Sequence, residues 1–90
     1  MDSPTAQYVP DEGSVTLLTT GWCGFCRRLK AMLDREGLPY AEVDIEAVPE
    51  AADAVKAVNA GNRTVPTVVF PDGSTATNPS VHEVMARLGR

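Results

Sequence analysis

Two cysteines, Cys23 and Cys26, are the residues in this chain with the most chemistry to offer, and they lie in Gly21-Trp22-Cys23-Gly24-Phe25-Cys26-Arg27-Arg28-Leu29-Lys30. A thiolate attacks a disulfide sulfur, and a second thiol at Cys-x-x-Cys spacing can close an intramolecular disulfide, so the pair is read as a redox site. Upstream lies the uncharged, β-branched run Val15-Thr16-Leu17-Leu18-Thr19-Thr20. Downstream, Phe25, Leu29, Met32 and Leu33 recur at helical spacing. The pair therefore falls on a strand-to-helix turn, where free amides and the positive dipole end favour an anion. That anion is expected to be the Cys23 thiolate, with the Cys26 S–H, backbone N–H groups, Arg27 and Lys30 as further supports. At 100° per residue Cys26 falls at the edge of the apolar stripe, and Cys23 on the side of Arg27, Lys30 and Asp34. Cys23 is expected to be the exposed nucleophile and Cys26 the more buried resolving thiol. A structural disulfide is the bland alternative.

Size and charge bound the rest. Ninety residues, 43 % hydrophobic, are expected to make one small globular domain with no room for a second. A net charge of -4 with dispersed basic residues argues against a nucleic-acid partner. Residues 1–13 lack the cationic start and apolar stretch of a signal peptide, and no apolar run reaches membrane-spanning length. A cytoplasmic protein without a membrane partner is expected, and in a reducing compartment such a pair is more often catalytic than a permanent staple. A tetrahedral zinc site needs four ligands, which two cysteines and a distant His82 do not supply, so no metal is expected.

The elements that must position the pair follow in order. Residues 1–13, with Pro4, Pro10 and Gly13, read as a flexible tail, in part packed through Tyr8 and Val9. Val15 to Thr20 is the first strand, and a helix runs from about Cys23 to Glu36, stopped by Gly37 and Pro39. Tyr40 to Ile45 alternates as a second strand, parallel to the first, with Ala41, Val43 and Ile45 towards a core. Val48, Ala52, Val55 and Val58 mark the inner face of a second helix between Pro49 and Gly61. Thr67 to Phe70, the turn Pro71-Asp72-Gly73-Ser74 and Thr75 to Thr77 form a hairpin. A final helix from Pro79 to about Leu88 is capped by Asn78 or Thr77, with Val81, Val84, Met85 and Leu88 inward.

This order of elements, with Cys-x-x-Cys at the first strand-helix turn and Thr64-Val65-Pro66 before the third strand, resembles the thioredoxin-like fold and, more narrowly, the glutaredoxins. The resemblance covers residues 14–90 and implies an α/β fold, a four-stranded mixed sheet flanked by three helices. It implies that Pro66 is cis and that Val65 offers its backbone N–H and C=O to the cysteinyl part of a thiol substrate. Glutaredoxins that use glutathione commonly carry a Lys three residues before the first Cys, Gly-Gly after the fourth strand, and acids beyond. Here Thr20, Thr77-Asn78 and Ser80-Val81 stand in those places. A site without those ionic readers suits a thiol without such charges. Trp22-Cys23-Gly24-Phe25-Cys26, Gly61-Asn62-Arg63-Thr64-Val65-Pro66-Thr67 and Asp72-Gly73-Ser74 with Thr77-Asn78-Pro79-Ser80 resemble the mycoredoxin pattern of actinobacteria. Mycothiol, an N-acetylcysteine on glucosamine and inositol, is the co-substrate that this implies.

The expected activity is reduction of mycothiol-protein mixed disulfides. Cys23 attacks, and either a second mycothiol or Cys26 resolves the adduct. No tightly bound cofactor is expected; the electrons come from mycothiol, itself kept reduced by a nicotinamide-dependent reductase, and the protein works as a monomer. Trp22 and Phe25 are read as packing or as a platform beside the nucleophile, Arg63 as a loop charge or a substrate contact. Asn78 and Ser80 are helix caps or, by the resemblance, binding residues. The alternatives are a redoxin fed by glutathione or thioredoxin reductase, an electron donor to ribonucleotide reductase, and a non-enzymatic carrier of an iron-sulfur cluster.

Overall fold

The structure is a computed structural model and describes residues 4–90. Four strands form one sheet in the order β2-β1-β3-β4, with β1 at Val15–Thr19, β2 at Tyr40–Asp44, β3 at Thr67–Val69 and β4 at Thr75–Thr77. β2 runs parallel to β1, with Val15 opposite Tyr40, and β3 runs antiparallel to β1, with Leu17 opposite Val68. All five residues of β1 are buried, as a central strand with both faces covered requires. Side chains alternate between the faces, so Val15 and Leu17 join Leu29, Leu33, Leu38, Val68, Phe70, Val81 and Val84 in one core. Leu18 and Val69 point the other way, into a second core with Ile45, Ala51 and Val55. The helices α1, Gly24–Arg35, and α3, Val81–Arg87, thus cover one face, and α2, Pro49–Val58, covers the other. This is the thioredoxin-like mixed sheet with three helices that was expected.

Several local readings need correction. On α2 the buried residues are Ala51, Ala54 and Val55, whereas Val48 and Ala52 only pack partly against the core. The small alanines let the helix lie close to Leu18 and Val69, which a count of large apolar residues does not reveal. β2 is an edge strand and leaves Ala41 exposed, with only Tyr40 and Val43 half-buried. The cap of α3 is Ser80, whose Oγ accepts the Glu83 N–H at 3.1 Å, and not Asn78 or Thr77. Asn78 instead takes a left-handed backbone at φ 48° and donates its N–H to the Pro66 carbonyl at 2.8 Å. Part of the expected loose stretch is ordered locally: Ala6–Tyr8 form a 3-10 turn, Thr5 is buried and Tyr8 packs on the α2 core. Its first three residues lie outside the described residues. Among the described residues, no helix is long and apolar enough to cross a membrane.

Candidate active site

β1 ends at Thr19, and the turn Thr20-Gly21-Trp22 delivers Cys23 to the mouth of α1. The expected helix start is corrected: Cys23 does not lie inside the helix but is its N-cap, with an extended backbone at φ -82° and ψ 112°. That conformation turns the side chain back over the first helical turn, where Sγ accepts the Cys26 N–H at 3.1 Å. The expectation of an exposed nucleophile is corrected: Cys23 is 4 % exposed and Cys26 0 %. The order of the two is as read, yet Cys23 does not stand free, because its cap position folds it against the loop before β3. There its thiol faces the Val65 carbonyl at 3.9 Å. The sulfur has a backbone amide on one side and a carbonyl on the other, so its setting is polar despite the burial. Both cysteines are free thiols.

The second thiol differs in kind. Burial pushes the Cys26 thiol up to about 12, helped by its hydrogen bond with Cys23. The Thr20 backbone N–H and the Lys30 charge pull the other way. Cys26 therefore rests protonated at neutral pH. Lys30 is held by Glu42, whose carboxylate accepts from Lys30 Nζ at 2.8 Å and from Thr19 Oγ1 at 2.7 Å.

Around the pair, the structure brings some of the sequence candidates together and leaves others apart. The Val65-Pro66 bond is cis, Pro66 is buried, and Val65 lies against Cys23. The Asn78 N–H bond to Pro66 draws the β4-α3 loop to the same place. Trp22 and Phe25, next to and two residues after Cys23 in the chain, are 68 % and 62 % exposed, so neither is core. By its spacing Phe25 belongs to the apolar stripe of α1, but at the first helical turn it is left exposed and faces a cleft instead. That cleft, of about 400 Å³, is lined by Phe25, Arg28, Leu29 and Met32 of α1 and by residues 78–82 across from them. Asn78 and Ser80 thus belong beside Phe25, although the Ser80 hydroxyl is already engaged as a cap. Arg63 is exposed and makes no ion pair among the described residues.

The glutaredoxin family model matches residues 15–74. The chain belongs to the glutaredoxin family. It is 57 % identical over 75 residues to a Mycobacterium tuberculosis protein named as a glutaredoxin, across 83 % of this chain and 89 % of the relative. It is 47 % identical, across 83 % of this chain and 92 % of the relative, to mycoredoxin 1 of Corynebacterium glutamicum. Among solved structures, a buckwheat glutaredoxin-glutathione complex superposes with a TM-score of 0.67 at 27 % identity, covering 92 % of this chain and 76 % of that one. The glutaredoxin family fits the Cys23–Cys26 geometry: the chain is a thiol-disulfide oxidoreductase.

Three residues of this glutaredoxin site, Glu46, Arg28 and Met32, carry no role in the reading from sequence. Glu46, in the loop after β2, accepts the Trp22 indole N–H at 3.2 Å and is itself anchored by its N–H to Asp44 Oδ1 at 2.8 Å. No sequence signal points to it, since it lies 24 positions from Trp22. Arg28 and Met32 line the cleft, and their spacing from Phe25 along one helical face was a signal available in the sequence.

Proposed function

We propose that this protein reduces mixed disulfides between proteins and mycothiol, with Cys23 as nucleophile and Cys26 as resolving thiol. The observation that carries the reading is the position of the Cys23 sulfur, between the Cys26 N–H in the first turn of α1 and the Val65 carbonyl, two residues before Phe25, which lines a cleft whose loop side carries Asn78 and Ser80. A substrate cysteinyl group running antiparallel to Val65 would exchange backbone hydrogen bonds there, which holds its sulfur in line with Cys23. Mycothiol presents amide and hydroxyl groups and no carboxylate, and the neutral Asn78 and Ser80 loop suits it. Likeness to mycoredoxin 1 over most of both chains supports the same choice.

In the first step the Cys23 thiolate attacks the sulfur of the small thiol. The target protein leaves as its thiolate and takes a proton, and Cys23 carries the small thiol. The Cys26 N–H, aimed at Sγ, stabilises charge on that sulfur before attack and when it later leaves. Free mycothiol then discharges the adduct, or Cys26 does so by closing the internal disulfide. A nicotinamide-dependent reductase returns mycothiol disulfide to its thiol. The protein acts in the cytoplasm on S-mycothiolated proteins, as a monomer, with Trp22 and Phe25 as the walls of the thiol site and Arg63 near its cysteinyl end.

The decisive measurement supplies mycothiol and glutathione in turn as reductant for a peptide carrying the corresponding mixed disulfide. Faster discharge of the Cys23 adduct by mycothiol is the expected result. Equal or faster discharge by glutathione overturns the choice of thiol.

A further inference from the structure

Cys26 is fully buried, yet the groups around it are suited to receive a negative charge. The Thr20 backbone N–H faces its sulfur, and Lys30 follows one helical turn later, its ammonium steadied by Glu42 and, through that carboxylate, by Thr19. Thr20 itself is 5 % exposed, and its Oγ1 is buried with no hydrogen-bond partner among the described residues. Interiors seldom keep an unpartnered hydroxyl, and a valine would fill the same space without that penalty. In the dithiol state the acceptor for this hydroxyl is missing. The reacting atom that this residue's backbone N–H meets is the Cys26 sulfur, a weak acceptor as a thiol and a strong one as a thiolate.

We propose that the Thr20 hydroxyl, together with Lys30, stabilises the Cys26 thiolate in the resolving step. As Cys26 loses its proton, Thr20 Oγ1 rotates about χ1 to donate to the sulfur. The sulfur's electron pair forms the Cys23–Cys26 bond while the bond from Cys23 to the small thiol breaks. The departing thiolate takes up one proton from solvent, which replaces the one Cys26 released. The titratable groups facing Cys26 are Cys23 and Lys30, and Lys30 in turn faces Glu42 and Tyr40 of β2. From the loop before β3, the Val65 carbonyl reaches Cys23 and brings no charge. This inference rests on the roles of Cys23 and Cys26 in the proposed function and not on which small thiol is used.

The test loads Cys23 with 2-mercaptoethanol and follows closure of the internal disulfide by mass spectrometry of acid-quenched samples across pH. Peptide mapping first shows which cysteine holds the adduct. A load on Cys26 would overturn the assigned roles whatever Thr20 does. For Thr20→Val, the ratio of closure rate to adduct-formation rate is expected to fall about tenfold, with the pH limb of closure moved up by about one unit. Thr20→Ser is expected to restore both. The reduced Thr20→Val protein is expected to melt higher than the parent, because the orphaned hydroxyl is gone. An unchanged ratio, equal slowing of both steps, failure of Thr20→Ser to rescue, or a lower melting temperature for Thr20→Val each overturns the proposal.

Discussion

At the scale of single residues, the two thiols are set apart by where the helix begins. Cys23 caps α1 and takes the Cys26 N–H, while Cys26 is the third residue of the helix, buried and held protonated up to about 12. The asymmetry predicts different outcomes for the two serine variants. Cys23→Ser should abolish reduction of a mixed-disulfide substrate. Cys26→Ser should keep turnover wherever an external thiol discharges the adduct and should lose only the internal disulfide, as a coupled reductase assay and non-reducing mass measurement will show. The reverse pattern refutes the assignment. Trp22 offers a second prediction: the Glu46 carboxylate holds its indole N–H, so Glu46→Ala frees an otherwise exposed ring beside Cys23. The expected outcome is a KM for the small-thiol substrate raised about two- to fivefold, the size of one exposed hydrogen bond, with kcat little changed.

At the scale of elements, the site stands on ends: the start of α1, the loop before β3 and the loop before α3. Their alignment depends on α3 beginning where Ser80 caps it. Ser80→Ala removes the bond to the Glu83 N–H and should lower stability by about 1 kcal/mol, about 4–8 °C in melting temperature for a domain of this size. A thermal melt followed by circular dichroism checks it. The packing of α1 on the sheet matters more. Leu33 is fully buried in the core that joins α1, α3 and β1, so Leu33→Ala should cost about 2–5 kcal/mol by chemical denaturation. A loss below about 1 kcal/mol at Leu33 would show that α1 is not seated as described.

At the scale of the molecule, one carboxylate ties three elements together. Glu42 on β2 binds Lys30 of α1 and Thr19 of β1, and these hydrogen bonds, Lys30 first, hold its carboxyl below the ordinary 4.5. A carboxyl with a depressed folded value contributes stability that is fully present above its ordinary value and is lost as pH falls through the folded one. Stability should therefore hold from neutrality down to that ordinary value and then decline in acid. Glu42→Gln should flatten this part of the decline, by less than about 1 kcal/mol because the pair is partly exposed, in denaturant midpoints measured across pH.

Much of this was readable in order of appearance along the chain. The β-branched run of β1, the Cys-x-x-Cys spacing, the helical period of α1, the Pro-Asp-Gly-Ser turn and the glycine stops are local signals, governed by backbone preference and side-chain period, and they determined the fold class and the reactive pair. Partners distant in sequence carry no such signal. Only the tertiary structure decided that Cys23 is a cap and not a helix residue, that Phe25 borders a cleft while Ala51 and Ala54 are buried, that Glu46 holds Trp22, and that Thr20 keeps a hydroxyl without an acceptor. Each of these depends on which surfaces the sheet and helices bring face to face, and burial is a property of that encounter.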